Sequence, residues 1–143
     1  MSMAAQIIAE ARQWIGTPYR HQASCRGVGA DCLGLVRGVY QAIYATPSET
    51  PPAYAPYARA QDGEILWAAA ARHLQPASLP PQPGQVVVFR LRRHLPARHL
   101  AIMSFEQKII HALSGAHVCE VPFTRWWQRH AVACFAFPET PIT

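Results

Sequence analysis

The sequence places one cysteine where a nucleophile is expected, at the predicted start of a helix. Cys32 lies in the segment Gly29-Ala-Asp-Cys-Leu-Gly-Leu-Val36, directly after Asp31, whose residue type often caps helices. The first turn of a helix has unpaired backbone N–H groups and the positive end of the helix dipole, and both favour a thiolate over a thiol. The position therefore predicts a reactive sulfur, although a cysteine taken without its neighbours is more often a buried core residue.

Two histidines in the second half of the chain suit the role of a base. His99 begins the apolar run His99-Leu-Ala-Ile-Met103, and His111 ends the run Lys108-Ile-Ile-His111. Both runs are short and bounded by polar or proline residues, which predicts strands. Two neighbouring antiparallel strands would place the imidazoles side by side, so that Cys32, His99 and His111 act as nucleophile, general base and orienting group. The plainer alternative is that each histidine is a structural strand residue.

The order of the predicted elements favours an α+β fold, with N-terminal helices packed on a C-terminal antiparallel β-sheet. Hydrophobic spacing and turn residues predict helices over 3–15, 32–44 and 62–74, a proline-rich connector over 76–83, strands over 86–91, 99–104, 108–112, 117–121 and 130–137, and a helical turn over 124–128. The 143 residues, half of them apolar, suit one domain over residues 1–143.

Charge and hydropathy exclude several classes of protein. Charged residues make up 15% of the chain, which argues against disorder, and no apolar run approaches the roughly 20 residues that span a bilayer. The net charge of +5 is concentrated between Arg90 and Arg98. This segment is either a solvated hairpin tip or a surface that binds an anionic wall polymer or a protein partner. No helix-turn-helix, zinc finger or aromatic-basic repeat accompanies it, so no nucleic-acid partner is expected.

The cysteines predict no metal site. Cys25, Cys32, His117 and Cys119 can be combined into a zinc set on paper, but structural zinc sites bring their ligands in close pairs. Neither a metal nor an organic cofactor is needed for the chemistry above. Cys134 stands in an apolar run and is expected to be a small buried hydrophobe.

Four motifs in a fixed order resemble the NlpC/P60 cysteine peptidases, which cut the peptide stems of bacterial cell walls. They are Trp14-Ile-Gly-Thr-Pro-Tyr19, the block Asp-Cys-x-Gly-Leu-Val that begins at Asp31, Pro83-Gly84-Gln85 before a strand, and then the two histidines. The resemblance covers most of the chain. It implies a papain-like fold with the catalytic cysteine at a helix N-terminus, and a Cys-His-His peptidase acting without a cofactor.

The same resemblance assigns roles to two further residues. It implies that the hydroxyl of Tyr19 points toward the nucleophile and holds the substrate carbonyl or the developing oxyanion. It also implies that Asp31, besides capping its helix, pairs with the free amino terminus of a stem peptide. The expected scissile bond joins D-glutamate to a diamino acid such as diaminopimelate.

Details of the motifs are most similar to the phage-type branch, found in tailed phages and gene transfer particles. These details are the run from Gly27 through Asp31-Cys-Leu-Gly-Leu-Val-Arg-Gly-Val39, with Arg72-His73-Leu74 and Ile110-His111-Ala112 downstream. The N-terminus lacks the basic start and continuous apolar stretch of a secretory signal. We therefore expect synthesis in the cytoplasm and delivery to the periplasmic wall by a phage tail or tail-like particle, with tail or baseplate proteins as partners.

Two departures from the family pattern keep other functions open. Leu33 stands where many members have Ser, and Ala101 stands where the histidine strand often has Gly. A tail component that kept the fold but lost activity is one alternative. Another is a different thiol acyl-transfer enzyme on the same fold, such as a lipid acyltransferase or an amidase, which an apolar tunnel in place of a polar groove would favour.

Overall fold

Four α-helices form in the part of the chain that the computed structural model describes, residues 1–47 and 49–139; residues 48 and 140–143 lie outside that description. The helices are Met3–Arg12 (α1), Cys32–Tyr44 (α2), Ile65–His73 (α3) and Arg125–His130 (α4), and a 3-10 helix at Ala60–Asp62 precedes α3. The prediction of α2 over 32–44 is confirmed at both ends. The helix predicted over 62–74 is divided, because Gly63 adopts a φ of 69° that no right-handed helix contains.

Six strands form one antiparallel sheet, and two short strands form a separate hairpin. The hairpin consists of Ser24–Cys25 (β1) and Gly29–Ala30 (β2). The sheet contains Gln75–Ala77 (β3), Val86–Phe89 (β4), His99–Met103 (β5), Lys108–His111 (β6), Cys119–Pro122 (β7) and Ala131–Ala136 (β8), in the spatial order β3-β8-β4-β5-β6-β7. The predicted α+β class, with helices packed on an antiparallel sheet, is confirmed.

Strand β3 corrects the sequence prediction, which assigned its residues to a proline-rich connector. Pro76 has no backbone N–H to donate, so it argues against a central strand. The structure accommodates it because β3 is the edge of the sheet and pairs only with β8. Proline is tolerated at such an edge, where one side of the strand needs no partner.

The central strands bury both of their faces. On one face Val86, Val88, Leu100, Ile102 and Ile110 belong to the core shared with α1 and α2. On the opposite face a second cluster contains Val87, Phe89, Ala101, Met103, Ile109 and Phe123, with Trp127 of α4 packed against it. Neighbouring residues of a strand point to opposite faces, so burial on both sides produces continuous apolar runs in the sequence. The alternation decides which core each strand residue enters.

The segment that follows α1 packs closely against α2 at Gly38. A Cβ atom at Gly38 would lie 2.0 Å from a ring carbon of Trp14, whose indole is buried. The missing side chain of Gly38 therefore permits this close packing.

We expect Gly38→Ala to destabilise the protein, although alanine is the better helix former. Helix propensity would gain about 1 kcal/mol, whereas forcing a buried indole aside costs about 1–3 kcal/mol. Chemical denaturation should show a free energy of unfolding lower by about 1 kcal/mol. Gln41→Ala, an exposed site on the same helix, is the control and should change it by less than about 0.5 kcal/mol. A Gly38→Ala variant more stable than the parent would contradict this account of the packing.

Candidate active site

Asp31 caps α2 and thereby sets the position of Cys32. Its Oδ1 accepts a hydrogen bond from the backbone N–H of Gly34 at 2.7 Å, which confirms the predicted N-cap. Its Oδ2 accepts from the N–H of Gln22 at 2.7 Å and from the hydroxyl of Tyr54. The side chain is only 2% exposed and is used fully in these internal contacts. Its binding of a substrate amino group stays a prediction.

The loop before α2 packs tightly against the first turn of that helix. A Cβ atom at Gly34 would lie 1.8 Å from the carbonyl oxygen of Ala23, so only glycine fits there. The hydroxyl of Ser24 donates to the carbonyl of Gly34 at 2.7 Å. These contacts join the β1–β2 hairpin to the first turn of α2 and fix the position of Cys32 relative to the hairpin.

Cys32 lies in the wall of a groove of about 460 Å³. Tyr19 and His99 line the same groove, together with Pro56, Tyr57, Ala58, Leu91, Arg92, Leu95, Pro96, Arg98, Ala112, Leu113 and Ser114. The cysteine residue is 5% exposed, and the backbone groups of Leu100 and Leu33 lower the pKa of its thiol against the larger effect of burial. Cys32 therefore reaches the groove with only a small part of its surface.

The two predicted histidines contact each other directly. His99 begins β5 and His111 ends β6, and because these strands are antiparallel neighbours, those two ends meet. His99 Nε2 lies 2.9 Å from His111 Nδ1, within hydrogen-bond distance, and both rings are buried. The predicted side-by-side placement is thus confirmed. It leaves His99 Nδ1 as the ring nitrogen not used in this pair.

Burial determines the resting protonation state of these groups. Burial first, and then the negative charge of Asp31, raise the pKa of Cys32 to about 12. Burial, followed by the neighbouring His111, lowers the pKa of His99 to about 3, and burial lowers the pKa of His111 to about 4. At Cys32 the loss of hydration therefore outweighs the helix dipole, which by itself favours the thiolate. Near neutral pH the site holds a thiol and two neutral imidazoles.

Trp127 covers the histidine pair. Its ring centroid lies 5.3 Å from that of His99 and 5.2 Å from that of His111, and Phe89 packs at 5.0 Å on the same indole. The indole keeps water away from the hydrogen bond between the two rings. Sequence reasoning placed Trp126 and Trp127 on a helical turn but had no signal for which of them faces inward.

Tyr19 reaches the groove from a segment held by the backbone on both sides. Its N–H donates to the carbonyl of Ala116 at 3.1 Å, and it forms an isolated parallel bridge with Ala30. Burial, and then Cys32 and Asp31, raise the pKa of the Tyr19 phenol. The hydroxyl therefore stays protonated at neutral pH and can donate a hydrogen bond into the groove.

The two departures from the family pattern both belong to the protein interior. Leu33 is buried in the core between the helices and the sheet, so no substrate-side hydroxyl is present at this position. Ala101 is fully buried in the second cluster on the other face of the sheet. Neither side chain lines the groove that contains Cys32.

A model of one known protein family matches most of this chain. The model described as the NlpC/P60 family matches residues 16–135. The chain belongs to the NlpC/P60 family. No curated protein sequence matches it significantly.

Solved NlpC/P60 structures share the fold at low sequence identity. The NlpC/p60 domain of the peptidoglycan hydrolase SagA is 20% identical with a TM-score of 0.67, over 94% of this chain and 98% of that domain. The peptidoglycan hydrolase RipB from Mycobacterium tuberculosis is 16% identical with a TM-score of 0.62, over 96% of this chain and 65% of that chain. RipD from the same organism is 11% identical with a TM-score of 0.60, over 95% and 97%, and is described as a non-catalytic domain adapted to peptidoglycan binding. NlpC/P60 members therefore include both hydrolases and a binding protein, and the fold alone does not assign activity.

Across residues 1–47 and 49–139, no cluster of three or more His, Cys, Asp or Glu side chains has an arrangement that could hold a metal ion. In the same part of the chain no helix combines the length and apolarity required to cross a bilayer. The four cysteines are free thiols, with Cys25 exposed and Cys134 buried as predicted for a small core residue.

The two buried histidines make stability depend on pH. Their folded pKa values lie below the usual 6.5, so between about pH 4 and pH 6.5 the unfolded chain binds more protons and stability falls as the pH falls. For His111 alone the loss by pH 4 is on the order of 2–3 kcal/mol. Urea denaturation at pH 7 and pH 4 should show a smaller difference for His111→Asn than for the parent. His94→Asn, at an exposed histidine, should keep the parent's difference; equal differences for all three proteins would contradict the assignment.

Removing the indole that covers the histidine pair should raise both histidine pKa values. We expect Trp127→Ala to move the pKa of His99 and of His111 from about 3 and about 4 toward 6.5, because water then reaches the rings. NMR titration of the imidazole resonances measures this shift without any substrate. Trp126→Ala is the matched control, because Trp126 is 50% exposed and stacks on His130 instead. A folded Trp127→Ala variant with the parent's titration would contradict the shielding.

Proposed function

We propose that this protein is a cysteine peptidase that hydrolyses an amide bond in the stem peptides of bacterial peptidoglycan. The observation that supports this most is the shared groove of Cys32 and His99, with His111 held 2.9 Å from the far nitrogen of His99. A nucleophile and a base thereby line one groove, and the buried His111 is placed to orient the base.

In the proposed reaction His99 acts as a neutral general base. Its Nε2–H donates to His111 Nδ1, and this tautomer leaves the Nδ1 lone pair free to take the proton of the Cys32 thiol. The imidazole of His99 is unprotonated near neutral pH in the free site, so its Nδ1 can accept a proton. The thiol loses its proton as the sulfur attacks, and the charge forms only when substrate is present.

Acyl transfer then proceeds in two steps, acylation of the cysteine and hydrolysis of the thioester. The sulfur bonds to the amide carbonyl carbon, and the resulting oxyanion is stabilised by the Cys32 backbone N–H and the Tyr19 hydroxyl, each such donor contributing about 3 kcal/mol. His99 returns its proton to the amide nitrogen as the C–N bond breaks, which releases the amine and leaves a thioester. Water attacks the thioester and gives its proton to His99; the C–S bond breaks, and the proton returns to sulfur.

The groove suits a peptide better than an acyl chain. Arg92, Arg98, Tyr19 and Ser114 introduce polar groups among its apolar lining residues. A lipid acyltransferase would instead require an apolar tunnel. The bond between D-glutamate and a diamino acid is proposed as the scissile one. Binding of the substrate's amino terminus by Asp31 belongs to the same proposal and requires the carboxylate to exchange one of its internal hydrogen bonds for the ammonium group.

We also propose that the protein belongs to the phage-type branch and acts from a tail or tail-like particle on the periplasmic wall. The support is the motif variant around Cys32 and its downstream partners. Mass spectrometry of purified particles from the source organism should detect the chain at a constant ratio to tail proteins. Particles that lack the chain would contradict the proposal.

Substitution of each proposed catalytic residue should lower activity by a different amount. We expect Cys32→Ala and His99→Ala each to reduce the release of wall fragments by more than about a thousandfold, because both make or break covalent bonds to the transferred groups. His111→Ala should cost about tenfold to a hundredfold, since a water molecule can replace the orienting bond. Muropeptide mass spectrometry after digestion of purified peptidoglycan measures release and identifies the bond.

Cys25→Ala is the matched control, because Cys25 is an exposed thiol outside the groove and its loss should leave activity unchanged. A Cys32→Ala variant that digests peptidoglycan as well as the parent would contradict the mechanism. A parent protein that binds peptidoglycan but releases no fragment would favour the alternative that RipD represents, a binding domain without activity.

A further inference from the structure

The groove that contains Cys32 carries positive charge without a neutralising acid. Arg92 and Arg98 line it, and its described lining includes neither Asp nor Glu. Asp31, which precedes Cys32, is enclosed by its own hydrogen bonds and does not line the groove. A substrate in the groove therefore meets two guanidinium groups.

Two other arginines, Arg90 and Arg59, each pair with a carboxylate, in contrast to Arg92 and Arg98. Arg90 pairs with Glu64 at 2.9 Å, and Arg59 pairs with Asp62 at 2.7 Å. Within residues 1–47 and 49–139, no carboxylate lies within 4.0 Å of the guanidinium nitrogens of Arg92 or Arg98. Among the same described residues Arg93 of the Arg90–Arg98 segment has no carboxylate partner either, but of the segment's three unpaired arginines only Arg92 and Arg98 line the groove.

Arg98 is held in a defined position. Its Nε donates to the carbonyl of Ala55 at 3.1 Å, its Nη2 donates to the same oxygen, and the guanidinium lies 4.8 Å from the ring centroid of Tyr54. A guanidinium fixed by backbone and ring contacts loses little side-chain entropy when it binds an anion. Its charge also lowers the pKa of Cys32 against the larger effect of burial, so its field reaches the sulfur.

We propose that Arg92 and Arg98 form a carboxylate-binding subsite, which makes the enzyme select stem peptides with free carboxylates next to the scissile amide over their amidated counterparts. This inference rests on the proposed function. A carboxylate accepts charge-assisted hydrogen bonds from guanidinium groups at both oxygens. A neutral amide keeps one uncharged acceptor oxygen and places an N–H₂ donor where the second oxygen would accept. Amidation should therefore weaken recognition without any change in the scissile bond.

The test compares two synthetic probes that differ only in whether two of their carboxylates are amidated. One is L-alanyl-γ-D-glutamyl-meso-diaminopimelate; in the other, the D-glutamate α-carboxylate and the diaminopimelate side-chain carboxylate are amides. We expect the parent protein to cleave the free acid with a kcat/KM at least about tenfold higher. Arg92→Glu should remove or reverse this preference by slowing only the free acid. Arg98→Gln should reduce it in the same direction.

Arg93→Glu is the matched control. Arg93 is exposed and adjacent in sequence but does not line the groove, so the same change in net charge there should keep the parent's preference. A parent that cleaves both probes equally well, or equal effects of Arg92→Glu and Arg93→Glu, would overturn the subsite and leave the peptidase assignment intact.

A second experiment distinguishes failure of the peptidase assignment from failure of the arginine subsite. If neither probe is cleaved, calorimetric binding of each probe to Cys32→Ala decides the charge preference without any chemistry. Tighter binding of the free acid, lost in the Cys32→Ala Arg92→Glu double variant, would support the subsite in a binding protein. Equal binding of the two probes would overturn it.

Discussion

The packing of the first turn of α2 against the start of β5 is the constraint on which the rest of the site depends. The side chains of Leu100 and Leu33 belong to one core, and the backbone groups of both residues lower the pKa of the Cys32 thiol. Because this core is apolar and closely packed, the helix cannot slide along the strand without opening a cavity. The cap at Asp31 fixes the helix rotation at the same point. The sulfur and the histidine that precedes Leu100 are therefore held relative to each other by hydrophobic packing.

The site lies where the two cores of the protein meet. Leu100 points into the core shared with the helices, whereas His99 points to the other face, where Phe89 and Trp127 pack on its ring. This follows from the alternation of side chains along a strand. Cys32 belongs to the core on the helix side of the sheet, and the histidine pair lies on the opposite side. Cys32 and His99 both line the groove at the start of β5.

Burial has opposite effects on the two groups that would exchange a proton. It raises the pKa of the thiol and lowers the pKa of the imidazole, so the free site is neutral. An ion pair at this place would lose hydration that the helix dipole alone does not replace. Charge can form when an amide substrate, Tyr19 and the backbone donors are all present to stabilise it. The proposed arginine subsite places further positive charge beside the same groove.

The sequence by itself determined the local elements and the residue types of the site. The span of α2, its cap at Asp31 and the strands that begin at His99 and end at His111 follow from side-chain periodicity, capping chemistry and short apolar runs, all of which act over a few residues. Only the tertiary structure decided that Pro76 joins a sheet edge, that Trp127 and not Trp126 covers the histidines, and that Arg92 lines the groove while Arg93 does not. It also decided the protonation state of Cys32, because desolvation is set by residues far away in the chain that close around the sulfur. Burial, side-chain contacts and electrostatic effects are properties of the packed molecule. Local sequence patterns do not encode which distant segment will pack against a given residue.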